Sequence, residues 1–446
     1  MADQHTLQHA MEQVLELAAS AGAEADVLAS SSHNLSLKAN NGELDEYKVT
    51  SGQVIGVRVV KDDKVATSYS ESLHPDSLTL MVEQALQSAQ FTKADAHQRI
   101  QAKNSRLTTD SPEIYQQDNV DIEQKIALSL ALEKGVIDKG AKSAPYNGFG
   151  ESDSLSMLAN THGAFCQHQE RSTYCYTYAL IDQDGKQAMH GGMSSGRRFA
   201  ELDPNYCINH GVDTALALLD GGPVATGKYA VIFNLSELSS LFGAFGMCLS
   251  GQSAMKGINP WRDALHKQVA SSLLTVSDMA YVKGGSAIKA FDSEGFATQD
   301  TILIGEGQLQ SLLHNSHTAS YFDIANTANA ARSAKGGLGV SSRHLVIAEG
   351  QSNNTEVTAG EYLELVELQG VHSGADAISG DFSFGASGFL CRDGKRLQPV
   401  RGITVAGNFY QMIKAIDAVG NQLENDYERD FFAPKIRFSG LSIAGK

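Results

Sequence analysis

Gly380-Asp381-Phe382-Ser383-Phe384-Gly385-Ala386-Ser387-Gly388-Phe389-Leu390, running into Arg392-Asp393-Gly394-Lys395, sets the architecture of this chain. Short apolar runs broken by Gly374, Gly380, Gly385 and Gly388 predict a strand, a break and a second strand. Glycine fits where a bulge or a close backbone approach leaves no room for a Cβ. Asp393-Gly394 is a hairpin turn, and residues 399–405 form the returning strand. Gly407-Asn408 then opens a predicted helix, along which Phe409, Met412, Ile413, Ile416 and Val419 recur at helical spacing. Gly420-Asn421 stops it. None of these side chains is reactive by itself, so the block reads as scaffold.

Upstream, residues 229–233 read as a buried strand running into an apolar helix over 235–249. Asn259-Pro260-Trp261 opens a predicted helix to 272, and residues 298–304 and 308–313 form a hairpin around Gly305-Glu306-Gly307. A strand follows at 345–347, then a helix at 358–366 with Thr358 as N-cap and Glu361 as its reciprocal partner. Gly221-Gly222-Pro223 and Thr226-Gly227-Lys228 are rich in turn formers and mark a boundary. They divide the chain into an N-terminal α+β domain, 1–222, and a C-terminal β-rich domain, 223–446. In the first, a helix at 7–21, strands at 25–29 and 35–42, a hairpin at 54–60 and 65–69, and a helix at 75–90 form one unit. A second unit repeats that order, with a helix at 122–137, strands at 155–160 and 174–181, a turn at Asp184-Gly185-Lys186 and a helix at 207–219. The expected fold class is therefore α+β, with two pseudo-repeated helix–antiparallel sheet units at about 1–100 and 120–220, followed by strand-rich structure.

The 446 residues carry 51 Asp and Glu against 35 Lys and Arg, a net charge of −16. Phosphate neutralisation needs the opposite balance, so nucleic acid is not an expected partner. No apolar run reaches membrane-spanning length, and Met1-Ala2-Asp3-Gln4-His5 shows no basic segment leading into an apolar one. The five cysteines, Cys166, Cys175, Cys207, Cys248 and Cys391, are odd in number and unpaired in spacing. Reduced, mostly buried thiols in a cytoplasmic chain are the expectation.

Gly-Asp-Phe-Ser at 380–383, the Gly-Phe-Leu strand, Asp-Gly-Lys at 393–395, Pro399-Val400, Ala406-Gly407-Asn408 and Val419-Gly420-Asn421 resemble the C-terminal signature of the TldD/PmbA family. That family also carries the label "modulator of DNA gyrase". The resemblance implies cytoplasmic bacterial metalloprotease complexes that trim peptides. In catalytic, TldD-type members, the strand-to-helix position carries His-Glu-x-x-x-His. Its histidines and a later cysteine ligate zinc, and its glutamate is the general base on the metal-bound water. Here the matching residues are Ser236-Glu237-Leu238-Ser239-Ser240-Leu241. Glu237 keeps the base position, Ser236 and Leu241 occupy the ligand positions, and residues 424–434 hold no cysteine.

The resemblance therefore implies a PmbA/TldE-type subunit with no metal of its own and no confident catalytic residue. Zinc is expected in a TldD-type partner within a heterodimer, and the isolated chain is expected to form a homodimer. Segments 292–295, 303–304, 312–315 and 327–332 also resemble the family, where they lie along the peptide-holding cavity. His314, Asn315, Asn329, Arg332, Ser383 and Phe384 are the implied contacts to an extended peptide. Strand edges suit that task, since main-chain pairing recognises an unfolded chain with little regard to side chains. Two other readings remain open. One is an autonomous metallopeptidase with an atypical ligand set, and the other is a binding protein acting on gyrase or a toxin–antitoxin pair. His314 and His317, three residues apart, with His344 and His372, are candidate metal ligands whose expected role is ordinary hydrogen bonding, and Cys391, a candidate nucleophile, is expected to be a packed thiol.

Overall fold

The computed structural model describes residues 3–101, 105–109 and 111–446. Met1 and Ala2, which belong to the N-terminal stretch read for a leader, lie outside the described residues. The N-terminal half contains α1 (Gln4–Ser20), β1 (Glu24–Asn40), β2 (Glu43–Lys61), β3 (Lys64–Ser70), α2 (Pro75–Gln90) and β4 (Arg106–Thr109). It continues with α3 (Ile122–Asp138), β5 (Asn147–Asn160), β6 (Phe165–Gln183), β7 (Lys186–Gly196) and α4 (Pro204–Leu218). All seven strands join one sheet, ordered β3-β2-β1-β5-β6, with β4 and β7 both pairing with β6. The helices pack on one face. Leu7, Met11 and Val14 of α1 and Leu78, Met81 and Val82 of α2 meet Val27, Ile55, Val57 and Val59. Leu132 and Val136 of α3 and Ile208 and Val212 of α4 meet Ala179 and Ile181.

Because alternate strand residues point to opposite faces, Asp26, Leu28, Arg58, Leu158 and Cys166 turn away from the helices and toward the C-terminal half. Leu158 and Cys166 pack on Phe291. Asp26 and Arg58 are directly opposed across β1 and β2. Arg58 donates to Asp26 through Nε at 2.9 Å and to Glu294 through Nη2 at 3.1 Å, and Arg332 also pairs with Asp26. All four side chains are at most 2 % exposed. Gly56 lies so close to the facing loop that a Cβ there would sit 1.8 Å from the Ala334 carbonyl oxygen.

The C-terminal half begins with β8 (Gly227–Phe233), α5 (Leu235–Ala244) and α6 (Gly251–Met255), then β9 (Val276–Met279), β10 (Thr301–Gly305), β11 (Gln308–Leu309) and α7 (Ser316–Phe322). β12 (Ala330–Ala331), β13 (Gly339–Val340), β14 (His344–Ile347), α8 (Asn354–Val357), β15 (Glu361–Gln369), β16 (Asp381–Arg392) and β17 (Lys395–Asn408) follow. It closes with α9 (Phe409–Met412), β18 (Ile416–Val419), β19 (Glu424–Asn425), β20 (Phe431–Ala433) and β21 (Ile436–Ala444). One sheet runs β11-β10-β9-β14-β20-β19; the other runs β17-β16-β15-β8-β21-β18 and curls back on itself through β17–β21 pairing. Their shared core includes Phe233, Leu241, Phe245, Leu363, Phe384, Phe409 and Phe438. The protein is thus a mixed α+β molecule with several sheets.

Several elements differ from the sequence expectation. Residues 24–40 form one long strand with an Asn41-Gly42 turn beyond it, rather than two strands. The block from 381 to 390 is continuous in β16, and Gly388 marks a bulge rather than a break. At Gly388 a Cβ would lie 1.9 Å from the Glu364 carbonyl oxygen. The helix expected at 358–366 is instead β15, held between β8 and β16. Gly360 at φ +65° bars a helix there, and the capping box sits earlier, at Asn353 and Glu356 of α8. The helix expected from 409 lasts one turn, after which 416–419 pair with β21.

The segment 259–272 has no helix. Its backbone is drawn outward, His266 N–H to Leu309 and Val269 N–H to Gly307, while the Asn259 amide closes the preceding turn on Met247, Cys248 and Ser250. The helix read over 235–249 ends at Ala244 and gives way to a 3₁₀ turn over 246–249. The second strand of the hairpin around Glu306 is two residues long.

Candidate functional site

The strand-to-helix corner after β8 is built by Asn234. Its N–H donates to the Leu365 carbonyl at 2.8 Å, its side-chain Nδ2 to Val366 O at 3.2 Å, and its Oδ1 caps α5 by accepting the Glu237 N–H at 2.9 Å. The corner is therefore stapled to β15. Glu237, on the first turn, accepts the Leu368 N–H at 3.0 Å. Burial pushes its carboxyl up to about 7, with the Leu368 hydrogen bond opposing and the like charge of Glu367 adding. Leu241, one turn further, is fully buried in the apolar core. Ser239 of α5 lies near Asp426. Asp426, Glu428 and Asp430 bring carboxylate oxygens within 4.8 Å of one another. Burial, then the charges of Asp426 and Glu428, push Asp430 up to about 6.

Three models of one family match successive parts of this chain. PmbA/TldA metallopeptidase domain 1 matches residues 25–89, the central domain 115–219 and the C-terminal domain 226–445. The chain belongs to the PmbA/TldD metallopeptidase family. Metalloprotease PmbA of Escherichia coli O157:H7 is 27% identical over 436 residues, covering 95% of this chain and 93% of that protein. A Thermotoga maritima protein bearing the name "modulator of a DNA gyrase" superposes with a TM-score of 0.84 at 22% identity, covering 98% of this chain and 100% of the other. TldE of Thermococcus kodakarensis does so with a TM-score of 0.79 at 20% identity, again covering 98% and 100%. At those identities the two structures establish the shared fold alone.

The zinc ligand set of catalytic members of the PmbA/TldD family does not fit this corner. A leucine locked in the core stands where an imidazole would have to reach solvent, a serine hydroxyl is a poor zinc ligand, and 424–434 supplies carboxylates but no thiolate. Three carboxylates are oxygen donors suited to hard cations rather than to zinc's nitrogen and sulfur set. Burial first, and then neighbouring carboxylate charge, pushes Asp426 and Asp430 above the usual carboxylate range.

The implied peptide contacts fall in several places. Asn315 is fully buried as the N-cap of α7, in a reciprocal pair with Thr318. His314 is buried against Thr318 and Phe322, and burial lowers it to about 4. Asn329 donates to Asp278 at 2.6 Å and to Ser341 O at 3.0 Å. Arg332 lies in the buried network with Asp26. Phe384 stacks inside the core on Phe382 at 5.2 Å, whereas Ser383, its neighbour on β16, faces outward. The structure therefore gathers 314–315 and 329–332 into one buried polar layer and leaves 383–384 on a distant sheet.

Of the histidines weighed as ligands, His317 pairs with Asp95 at 2.8 Å, and His344 places its two ring nitrogens on Met279 O and Ala287 N–H. His372 is exposed. Burial raises Cys391 to about 11, so it is a packed thiol. All five cysteines are free and buried. No described helix is long and apolar enough to cross a membrane.

A second polar feature is the cleft between β6 and segments 287–293 and 330–343. Asp292 and Arg332 on its walls fall within the segments that the resemblance placed along the cavity, whereas His168, Glu170, Lys289 and Arg343 were missed; a lysine in the Ala287-Ile288-Lys289-Ala290 run was the available signal for one of them.

Proposed function

We propose that this chain is the non-catalytic, PmbA/TldE-type subunit of a TldD-type zinc metallopeptidase, that it holds extended peptide, and that zinc and the hydrolytic step reside in the partner. The observation that carries this reading is the filled ligand position, Leu241 sealed in the core one turn from a retained Glu237. A heterodimer with the catalytic subunit, a homodimer of the isolated chain and a cytoplasmic location with reduced thiols belong to the same reading. Support for peptide holding comes from β3, an edge strand whose residues 67–70 line a cleft of about 610 Å³ with Glu71, Gln84 and Lys335. An unpaired strand edge accepts an extended chain through main-chain hydrogen bonds.

The test is reconstitution. Unfolded peptide is incubated with this chain, with a TldD-type subunit, and with both, and zinc content is measured for each. Cleavage should need the TldD-type subunit, rise when this chain is added, and leave this chain zinc-free. One tightly bound zinc per chain together with cleavage by this chain alone defeats the proposal.

A second reading, an autonomous metallopeptidase, draws on Glu237, whose carboxyl near 7 suits a general base at neutral pH. Under it, Glu237→Ala abolishes turnover by the isolated chain.

A further inference from the structure

A cleft of about 520 Å³ opens where β6 faces loops 287–293 and 330–343, at the junction of the two halves. That volume is in the range that takes small ligands or a few residues of a peptide. Its walls carry more donors than the protein itself satisfies. Lys289 lines it half-buried, 5.1 Å from the centre of the Phe291 ring, with no carboxylate in ion-pair range among the described residues. His168, 4 % exposed, sets Nε2 3.3 Å from Glu170 and leaves Nδ1 without a hydrogen-bond partner. Arg343 donates through Nη2 to the Ala328 carbonyl, but its Nη1, 3.8 Å from Asp278, has no hydrogen-bond partner. Unpaired buried polar groups are costly, and Lys289 and Arg343 Nη1 are two donors left for an acceptor, whereas His168 Nδ1, opposite an Nε2–H given to Glu170, is itself an acceptor.

The acids of the cleft do not fill that need. Asp292 accepts backbone N–H groups from Glu294, Phe296 and Ala330 at 2.9–3.1 Å. Glu170 stands between His168 and Arg197, the latter at 3.7 Å. Burial lowers Lys289 below the usual lysine range; Glu170 opposes this, and the neighbouring Arg343 charge adds to it. An anion beside both cations relieves that repulsion. Glu170 and Asp292 on the same walls disfavour two negative charges concentrated on one group, whereas a carboxylate group, with one charge, matches two converging donors. The chain's net charge of −16 gives no diffuse attraction for anions, so the selectivity is local.

We propose that this cleft binds a carboxylate, gripped by Lys289 and Arg343 Nη1. The carboxylate is either the free C-terminus of an extended peptide or a small free acid; the first source rests on the peptide-holding function proposed above.

The full-length chain is titrated with a labelled unfolded peptide in free-acid and C-terminally amidated forms, and separately with succinate. Wild type, Lys289→Met and Lys289→Arg are compared after their thermal unfolding has been matched. A carboxylate site makes the free-acid peptide bind about 10- to 100-fold tighter than the amide. Lys289→Met removes that preference and Lys289→Arg keeps it. Lys289-dependent binding of succinate with no peptide binding keeps the site, assigns it to a small acid and removes the peptide-holding function. Equal binding of acid and amide, with succinate binding indifferent to Lys289, overturns the carboxylate site and leaves peptide holding intact. The amidation comparison needs no substitution, so it stands even if Lys289→Met fails to fold.

Discussion

Replacing Glu237 by Gln tests the corner after β8 by two independent measurements. Glutamine keeps the shape and an amide oxygen to accept the Leu368 N–H, so the replacement removes only the ability to ionise. The Glu237 carboxyl is raised from 4.5 to about 7, first by burial and then by Glu367. A raised carboxyl favours the fold while neutral, so its contribution is complete below about pH 4.5 and is lost as pH rises through about 7. A shift of that size corresponds to about 3 kcal/mol at full value. Glu237 keeps partial solvent contact, which reduces the effect to roughly 1–3 kcal/mol. Urea denaturation at pH 4.5 should find the two proteins equal, and at pH 8 the variant should be more stable by that amount.

In the reconstituted peptidase the same variant should hold turnover within about twofold, since a relic carboxylate contributes no proton transfer. A true general base costs about 10²- to 10⁴-fold when removed. No gain in stability at pH 8 refutes the burial argument. A hundredfold fall in cleavage refutes the non-catalytic assignment.

Arg58→Met should cost about 3–5 kcal/mol in urea denaturation, because it leaves Asp26 and Glu294 buried against Arg332 alone; a loss under about 1 kcal/mol contradicts the network's geometry. Gly56→Ala drives a Cβ into the Ala334 carbonyl and should destabilise by about 1–3 kcal/mol or more. Gly52→Ala, on the same strand but in open space, should stay within about 0.5 kcal/mol. Cys391, pushed up to about 11, should resist iodoacetamide at neutral pH in the native protein and react once urea is added, as peptide mass mapping will read; rapid native labelling would show an accessible thiolate.

The parts of the fold that could be read from sequence are those decided within a few residues. Asn41-Gly42, Asp62-Asp63, Asp184-Gly185 and Asp393-Gly394 all take positive φ at the turns expected of them. The helix over 75–90 has the predicted bounds, with proline at its first turn. Two of the errors share one cause. Apolar residues at 362, 363, 365 and 366, or at 409, 412, 413, 416 and 419, satisfy a helical stripe and a buried strand equally well. The choice falls to partners far away in sequence, β8 and β16 in one case and β21 in the other. Local propensity is a weak prior against a strand that completes a sheet.

The site divides along the same line. The loss of two imidazoles at 236 and 241 and of a cysteine in 424–434 was visible because a ligand set is a property of residue types. The roles of Arg332, Asn329 and His314 were not, because burial decides whether a polar side chain meets a ligand or a neighbour. Arg58 did leave a sign. A guanidinium in Val57-Arg58-Val59-Val60, opposite Asp26 in Ala25-Asp26-Val27, has to be paired once the strands are set in register. What that sign could not supply was the second pair, Glu294 and Arg332, contributed by the other half of the chain. That ion network couples the N-terminal sheet to the 330–335 loop, and this loop lines both the β3 edge and the Lys289 cleft. Under the proposed function, a peptide held in either cleft would act on the junction between the halves, so its binding and the stability of that junction should rise and fall together.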